Sequence, residues 1–438
     1  MKIKSTIPFI IAGLAASSVV SAHTITHGYM VTNWDYSAFE GLSTSPNFDT
    51  FYDKQGSVGI DRNQIIAEIG VPYPISKGGL VFEYYGATIP ASQIHPALEG
   101  RHPQITDYTF TDFSNPGTSK TSGEIGLGGV ASFDTALGAT MSGDYDLNYN
   151  PGTANATTGK SAWQLVNQVD FFAPAWDLYN VTTTAIGSSG FSLTGELHFT
   201  PGTAGFLGGG ASTDLDLGDF TAISLSAIPT YILPDNQWHQ ISLPTQPSTG
   251  SNTVASIFGD DGLGVYGTDW TIYHYQPATN CYVTPALTDT LDVGEGYWII
   301  QANGSDKTLT MPSDTMLVSG SYSSECNLNR CSEKPLATEA GNTEWSMIGS
   351  AYETPVKLSD TRVVTSSGTC TGGCNFAEAD TAGVLQNVLW RYNGVDGYDQ
   401  VTNASGNLEP WAGYWVNTSN SANTLSPKLL VPVPGSNM

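Results

Sequence analysis

His23 is the residue whose chemistry a single proteolytic cut would change. Residues 1–22 carry the three parts of an export signal. Lys2 and Lys4 form a short positive head, Ile7 to Ala16 an apolar run, and Val20-Ser21-Ala22 a slim cleavage site. Cleavage after Ala22 would leave His23 with a free α-amino group beside its imidazole. Those two nitrogens can chelate one Cu(II). A second histidine can then complete the tetragonal nitrogen geometry that copper favours. His27 is the local candidate for that third ligand, and His95, His102 and His198 are the distant ones.

Oxygen ligands offer a second chemistry. Asp144-x-Asp146-x-Asn148 and Asp214-x-Asp216-x-Gly-Asp219 place carboxylates and an amide at alternate positions, as a structural calcium site would. The first run departs from the EF-hand pattern, with Tyr149 where glycine is needed and Asn155 where a bidentate Glu is needed. In a strand, alternate acids simply line one face. Asp260-Asp261-Gly262 reads as a turn. Glycoside hydrolysis needs two carboxylates across one bond, and Glu83, Glu99 and Glu196 are candidates that nothing in the sequence pairs. The chain has no Gly-x-Ser-x-Gly elbow, no His-Glu-x-x-His and no phosphate-cradling glycine loop. Cys281, Cys326, Cys331, Cys370 and Cys374 have no histidine after His274, which disfavours zinc. In an oxidising compartment Cys326/Cys331 and Cys370/Cys374 can close short loops, with Cys281 left over.

The aromatic residues recur. Trp238-His-Gln-Ile-Ser-Leu returns as Trp345-Ser-Met-Ile-Gly, 107 residues on. Ile272-Tyr-His-Tyr275 returns as Leu389-Trp-Arg-Tyr392, and Gly294-Glu-Gly-Tyr-Trp298 as Trp411-Ala-Gly-Tyr-Trp415, both 117 residues on. Agreement of order, spacing and type over three landmarks points to two homologous modules. The ten extra residues of the second copy fall between Trp345 and Leu389, where Cys370-Thr-Gly-Gly-Cys374 reads as an inserted loop tip. In Gly-Tyr-Trp two successive aromatics must point to opposite faces of a strand. One packs the core. The other, with Trp298, Trp411 and Trp415 as candidates, can stack on a sugar ring.

This layout resembles the repeated modules with a G-x-G-Y-W strand at the C-terminal ends of secreted bacterial surface proteins and exoenzymes. The resemblance covers residues 230–433 and implies an exported accessory module; Trp411 stands where the first glycine belongs. The start at His23 resembles, more narrowly, lytic polysaccharide monooxygenases, secreted β-sandwich enzymes that oxidise polysaccharides. That second resemblance implies copper at His23 and carries over no other residue. The opening His23-Thr-Ile-Thr-His-Gly-Tyr departs from that family's usual start, and residues 23–229 lack its customary cysteines.

Short alternating runs separated by Gly, Asn, Asp and Pro must position these groups, so the expected fold is all-β. Residues 23–229 read as a β-sandwich, 230–315 as a first small β module, 316–340 as a cysteine-containing linker and 341–433 as a second module. Strands are expected at 79–85, 144–150, 191–199, 214–220 and 221–227, and one short helix at Asp61–Ile69. Charged residues are only 13%, and the net charge of −25 reflects a shortage of bases, with no Lys or Arg between Lys160 and Lys307. Such a surface cannot gain affinity by releasing counterions from a phosphate backbone, so nucleic acid is disfavoured as a partner. No later run of eighteen apolar residues suggests a membrane span. The expectation is a secreted, cell-surface or periplasmic, non-catalytic binding or structural protein with glycan as its ligand class. The alternative is a copper-dependent polysaccharide-oxidising enzyme that uses His23.

Overall fold

The computed structural model describes residues 21–35, 38–53, 59–61, 80–84, 105–128, 131–134, 140–143, 145–168, 173–312, 315, 321–322, 330–339 and 344–436. Nearly all of the expected export signal, residues 1–22, lies outside the described residues. So do residues 62–69 of the expected helix, His95, Glu99, His102, Asp144 and Cys326. Asp61 itself ends a strand, Gly59–Asp61.

Beside two smaller sheets, eight strands form a closed barrel in the N-terminal unit. They are β1 (His27–Trp34), β2 (Leu80–Tyr84), β3 (Ile125–Gly128), β4 (Tyr145–Tyr149), β5 (Lys160–Asn167), β6 (Pro174–Ile186), β7 (Gly190–Phe199) and β8 (Asp216–Leu225). Each pairs antiparallel with the next, and β8 returns to β1 from Leu225↔His27 to Gly218↔Trp34. The all-β expectation holds, and the expected sandwich closes at both edges into a barrel. Closure removes two rows of unpaired backbone groups that open sheets would leave. The runs expected at 214–220 and 221–227 are one strand, β8, because no turn residue stands between Phe220 and Thr221.

An eight-stranded barrel is just wide enough for side chains to fill. Alternation supplies them: Trp176, Leu178, Leu193, Phe199 and Phe220 are buried inside, with Trp176 stacked on Phe199 at 5.2 Å. A short helix, α1 (Pro201–Leu207), is N-capped by Thr200, whose Oγ1 accepts the Thr203 N–H, and adds Ala204 and Leu207 to this core. The opposite faces of β1 and β8 are also buried. Tyr29, Val31, Ile223 and Leu225 join a second core with Tyr352, Val356 and Leu358. At ~1.5–3 kcal/mol per fully buried large apolar side chain, that contact is substantial.

The next strands are β9 (Tyr231–Leu233), β10 (His239–Ile241), β11 (Trp270–Gln276), β12 (Cys281–Val283), β13 (Tyr297–Gln301) and β14 (Lys307–Leu309). Then come β15 (Arg330–Pro335), β16 (Glu344–Gly349), β17 (Arg362–Val364), β18 (Leu385–Tyr392), β19 (Tyr398–Thr402), β20 (Gly413–Thr418) and β21 (Lys428–Pro432). One four-stranded sheet runs β10-β13-β11-β12 and the other β16-β20-β18-β19. Tyr297 and Tyr414 each turn inward, and each hydroxyl accepts a backbone N–H at 2.8 Å, from Asp292 and Glu409 respectively.

One boundary and one disulfide differ from expectation. The segment 316–340 is not only a linker, because β15 lies within it and pairs with β21. Its charged residues hid it: among Cys331–Lys334 only Cys331 is buried. The Cys370–Cys374 disulfide is no surface staple either. Both sulfur residues are buried with Phe376 and Ala379 in the core of the second module. Cys331 is also disulfide-bonded, and Cys281 is free and exposed.

The two sheets meet at a seam of reciprocal contacts. The Gly349 N–H donates to the Gly294 carbonyl at 3.0 Å, and the Ser242 N–H donates to the Trp411 carbonyl at 3.2 Å. The backbones approach so closely that glycine is required. A Cβ on Gly296 would lie 2.9 Å from the Ile348 oxygen, and one on Gly413 would lie 2.8 Å from the Ile241 oxygen. Glu295 adds an ion pair across the seam to Lys334.

Candidate binding site

Period-two alternation divides the aromatic residues of both sheets between core and surface. On β11, Trp270 and Ile272 enter the core while Tyr273 and Tyr275 take the other face. On β13 the pair divides as Tyr297 inward and Trp298 outward; on β20, as Tyr414 inward and Trp415 outward. On β18, Leu389 is core and Trp390 and Tyr392 face the other way. The opposite-face expectation for Gly-Tyr-Trp therefore holds in both modules.

The outward rings line two clefts. The first, of about 390 Å³, is formed by Trp238, Tyr273, Trp298, Tyr392 and Tyr282. The second, of about 660 Å³, is formed by Trp345, Trp390, Trp415, Tyr275, Tyr398 and the same Tyr282, with Asn280 at its side. Both volumes fall in the range of small-molecule sites. Trp238 stands 6.2 Å from Trp298 at 85°, and Trp345 stands 6.2 Å from Trp415 at 81°. Edge-to-face packing of this kind holds rings upright and leaves faces open. Trp238 is 38% exposed and Trp345 37%. Trp298 is half-buried, and Trp415 forms a floor at 8% exposure.

Polar groups sit among the rings. The Tyr275 hydroxyl is within reach of Asn280 Oδ1 at 3.0 Å and Glu344 Oε1 at 3.4 Å. Burial, reinforced by the Glu344 carboxylate, pushes Tyr275 up to about 12. Burial also raises Tyr282 and Tyr398. These phenols stay protonated at neutral pH and keep a donor. Gln400 pairs with Trp390 across β18 and β19 and so shares its face. Neither cleft has a Lys or Arg in its lining.

Trp411 does not belong to this surface. It is 1% exposed, packs into the first module's core, and donates its indole N–H to the Pro229 carbonyl at 2.7 Å. The sequence placed it beside Trp415, but its backbone adopts φ +61° and turns the ring across the seam.

Of the histidines proposed for copper, His23 stands on a different sheet from His27 and His198. His23 pairs with Phe110, and its ring lies 4.3 Å from that of Phe113. His27 pairs with Leu225 in the barrel wall, and its Nδ1 is 2.7 Å from Thr26 Oγ1. Burial lowers the His27 pKa. His198 lies over Tyr179 at 4.1 Å, with Nδ1 3.1 Å from the Thr213 carbonyl and Nε2 3.4 Å from Glu196. Among the described residues, no three His, Cys, Asp or Glu side chains are grouped to hold a metal ion.

The expected calcium ligands serve the barrel wall. Asn148 accepts from Lys120 Nζ at 3.0 Å and donates to Glu124 at 2.7 Å. Asp216 accepts the Gly218 N–H at 2.9 Å. Asp146 is fully buried on β4. Burial raises the Asp219 pKa, and the nearby carboxylates of Asp216, Glu196 and Asp35 raise it further. Asp261 receives the Thr310 N–H at 3.0 Å and hydroxyl at 2.8 Å, which makes the Asp260-Asp261-Gly262 turn a brace. Glu196 is bound to Asn180 at 2.9 Å, and the side chain of Glu83 lies outside the described residues.

A third cavity, of about 810 Å³, brings His274, Glu295, Lys334 and Glu344 together. Glu295 contacts both Lys334 and His274, the latter at 3.4 Å. Burial pushes Lys334 down to about 8. Here the charges serve mainly to clamp β15 onto the first module.

Of the three tryptophans proposed from sequence, the fold brings Trp298 and Trp415 onto one surface and removes Trp411. Trp238, Tyr273, Trp345, Trp390 and Tyr392 stand out in the sequence only as repeat landmarks, although each alternates with a core residue. That alternation was the signal that could have found them. Among the described residues no helix is long and apolar enough to cross a membrane. Comparison with protein-family models, curated proteins and solved structures finds no match to this chain.

Proposed function

We propose that this chain is an exported, non-catalytic binding protein. Its two C-terminal modules are tandem copies of one fold, and their shared aromatic face holds a neutral glycan. The observation that carries this reading is the set of outward rings on both four-stranded sheets. A pyranose presents a face of C–H groups to such a ring while its hydroxyls reach polar neighbours, here Asn280, Gln400 and the phenols. The net charge of −25 and the absence of Lys and Arg from both clefts favour a neutral chain over an acidic one.

The test is co-sedimentation of the mature protein with microcrystalline cellulose, chitin and insoluble β-1,3-glucan. Retention on at least one is expected, with loss in the double variant Trp238→Ala/Trp345→Ala. Both rings are more than a third exposed, so the core should survive their removal. Failure to bind all three, or full binding by the double variant, would remove the glycan reading. Perpendicular rings on an acidic protein also suit a quaternary ammonium ion. Tetramethylammonium therefore serves as competitor, and elution by it would assign the face to a cation instead.

A further inference from the structure

We infer that the aromatic face is two copies of one site, each completed by a tyrosine from the other module, so that one chain grips two glycan segments. This rests on the glycan reading above. In the first cleft Trp298 has Trp238 at 6.2 Å from its own module and Tyr392 at 5.1 Å from the second. In the second cleft Trp415 has Trp345 at 6.2 Å from its own module and Tyr275 at 4.9 Å from the first. Trp298 and Trp415, Trp238 and Trp345, and Tyr392 and Tyr275 are repeat counterparts, and Tyr282 of the first module lines both clefts. The Tyr392 N–H donates to Gln240 Oε1 at 2.7 Å, which fixes the crossing.

The seam explains the exchange. Gly294 meets Gly349, and their counterparts Trp411 and Ser242 meet in the same way. Such a reciprocal contact is the mark of an approximate two-fold axis. A two-fold relation reverses the direction in which each cleft meets a directional polymer. The clefts therefore take two segments running opposite ways, not one continuous stretch. A surface of many chains, such as an insoluble polysaccharide, would then be held with avidity that a short soluble fragment lacks.

Calorimetric titration of the mature chain with the hexasaccharides of cellulose, chitin and β-1,3-glucan tests this. Two equivalents of the bound hexasaccharide are expected per chain. Trp238→Ala and Trp345→Ala should each leave one, while their retention on the insoluble polymer falls at least about tenfold. Tyr392→Ala, a second-module change, should behave like Trp238→Ala and spare the second cleft. Unchanged thermal melting of each variant confirms the fold. One equivalent in the wild-type chain, or loss of all binding in either tryptophan variant, would leave glycan binding intact and overturn the two-site inference. If Tyr392→Ala instead emptied the second cleft, the exchange would be overturned. No heat with any hexasaccharide, together with no retention on the polymers, would overturn the glycan reading itself.

Discussion

Trp411 and Gly294 occupy the same place in the two modules. Gly294 has φ +77° and Trp411 φ +61°, and each carbonyl accepts an N–H from across the seam. Side chains rarely tolerate this left-handed conformation, which costs about 1–2 kcal/mol for an ordinary residue. Trp411 offsets that cost by burying its indole in the neighbouring core.

Substitution at this position should therefore invert the usual ranking. Trp411→Ala keeps the strain and loses the burial, so a loss of about 3–5 kcal/mol is expected. Trp411→Gly loses the burial but relieves the strain, and should be more stable than the alanine variant by about 1 kcal/mol. Denaturant unfolding of the two variants measures the difference; an alanine variant as stable as the glycine one would contradict the account.

Gly413→Ala probes the seam directly. Its Cβ would come 2.8 Å from the Ile241 oxygen and 3.1 Å from the Ile241 nitrogen, both backbone atoms that cannot swing aside. A loss of about 1–3 kcal/mol is expected. Gly372→Ala, with open space around its Cβ, is the control and should melt close to wild type.

Glu353 links stability to pH. Its carboxyl is fully buried at the barrel contact beside Tyr29, and burial pushes it up to about 7. The folded state thus binds a proton that the unfolded state releases near the usual carboxylate value. Its contribution is full below about 4.5 and is lost as pH rises through about 7. Glu353→Gln keeps a neutral side chain at all pH values. Between pH 5 and 8 its melting temperature should fall less than that of wild type, and parallel profiles would refute the assignment.

The Cys370–Cys374 bridge closes a very short loop, so replacing both residues by alanine should cost only about 2 kcal/mol of loop entropy. Because both are buried, reduction in the native state should be slow. Cys281, exposed on β12, should instead react with iodoacetamide without denaturant. Mass spectrometry of peptides alkylated with dithiothreitol present and no denaturant distinguishes the two, and labelling of Cys370 or Cys374 at the rate of Cys281 would show that the core there opens readily.

Alternation and recurrence are local properties, and for that reason the sequence alone determined the strand-rich class, the matched landmarks of the two modules and the division of Gly-Tyr-Trp between core and surface. Closure of the barrel depended on β8 meeting β1 across nearly two hundred residues, which no local pattern encodes. The same limit hid β15, whose partner β21 lies about a hundred residues on and half of whose own residues are charged. Trp411 shows the point most directly. Its type and position next to Trp415 are written in the chain, but its side depends on a backbone angle set by the seam. Only the packing of one module on the other sent that ring into a core and left Trp298 and Trp415 on the opposite face.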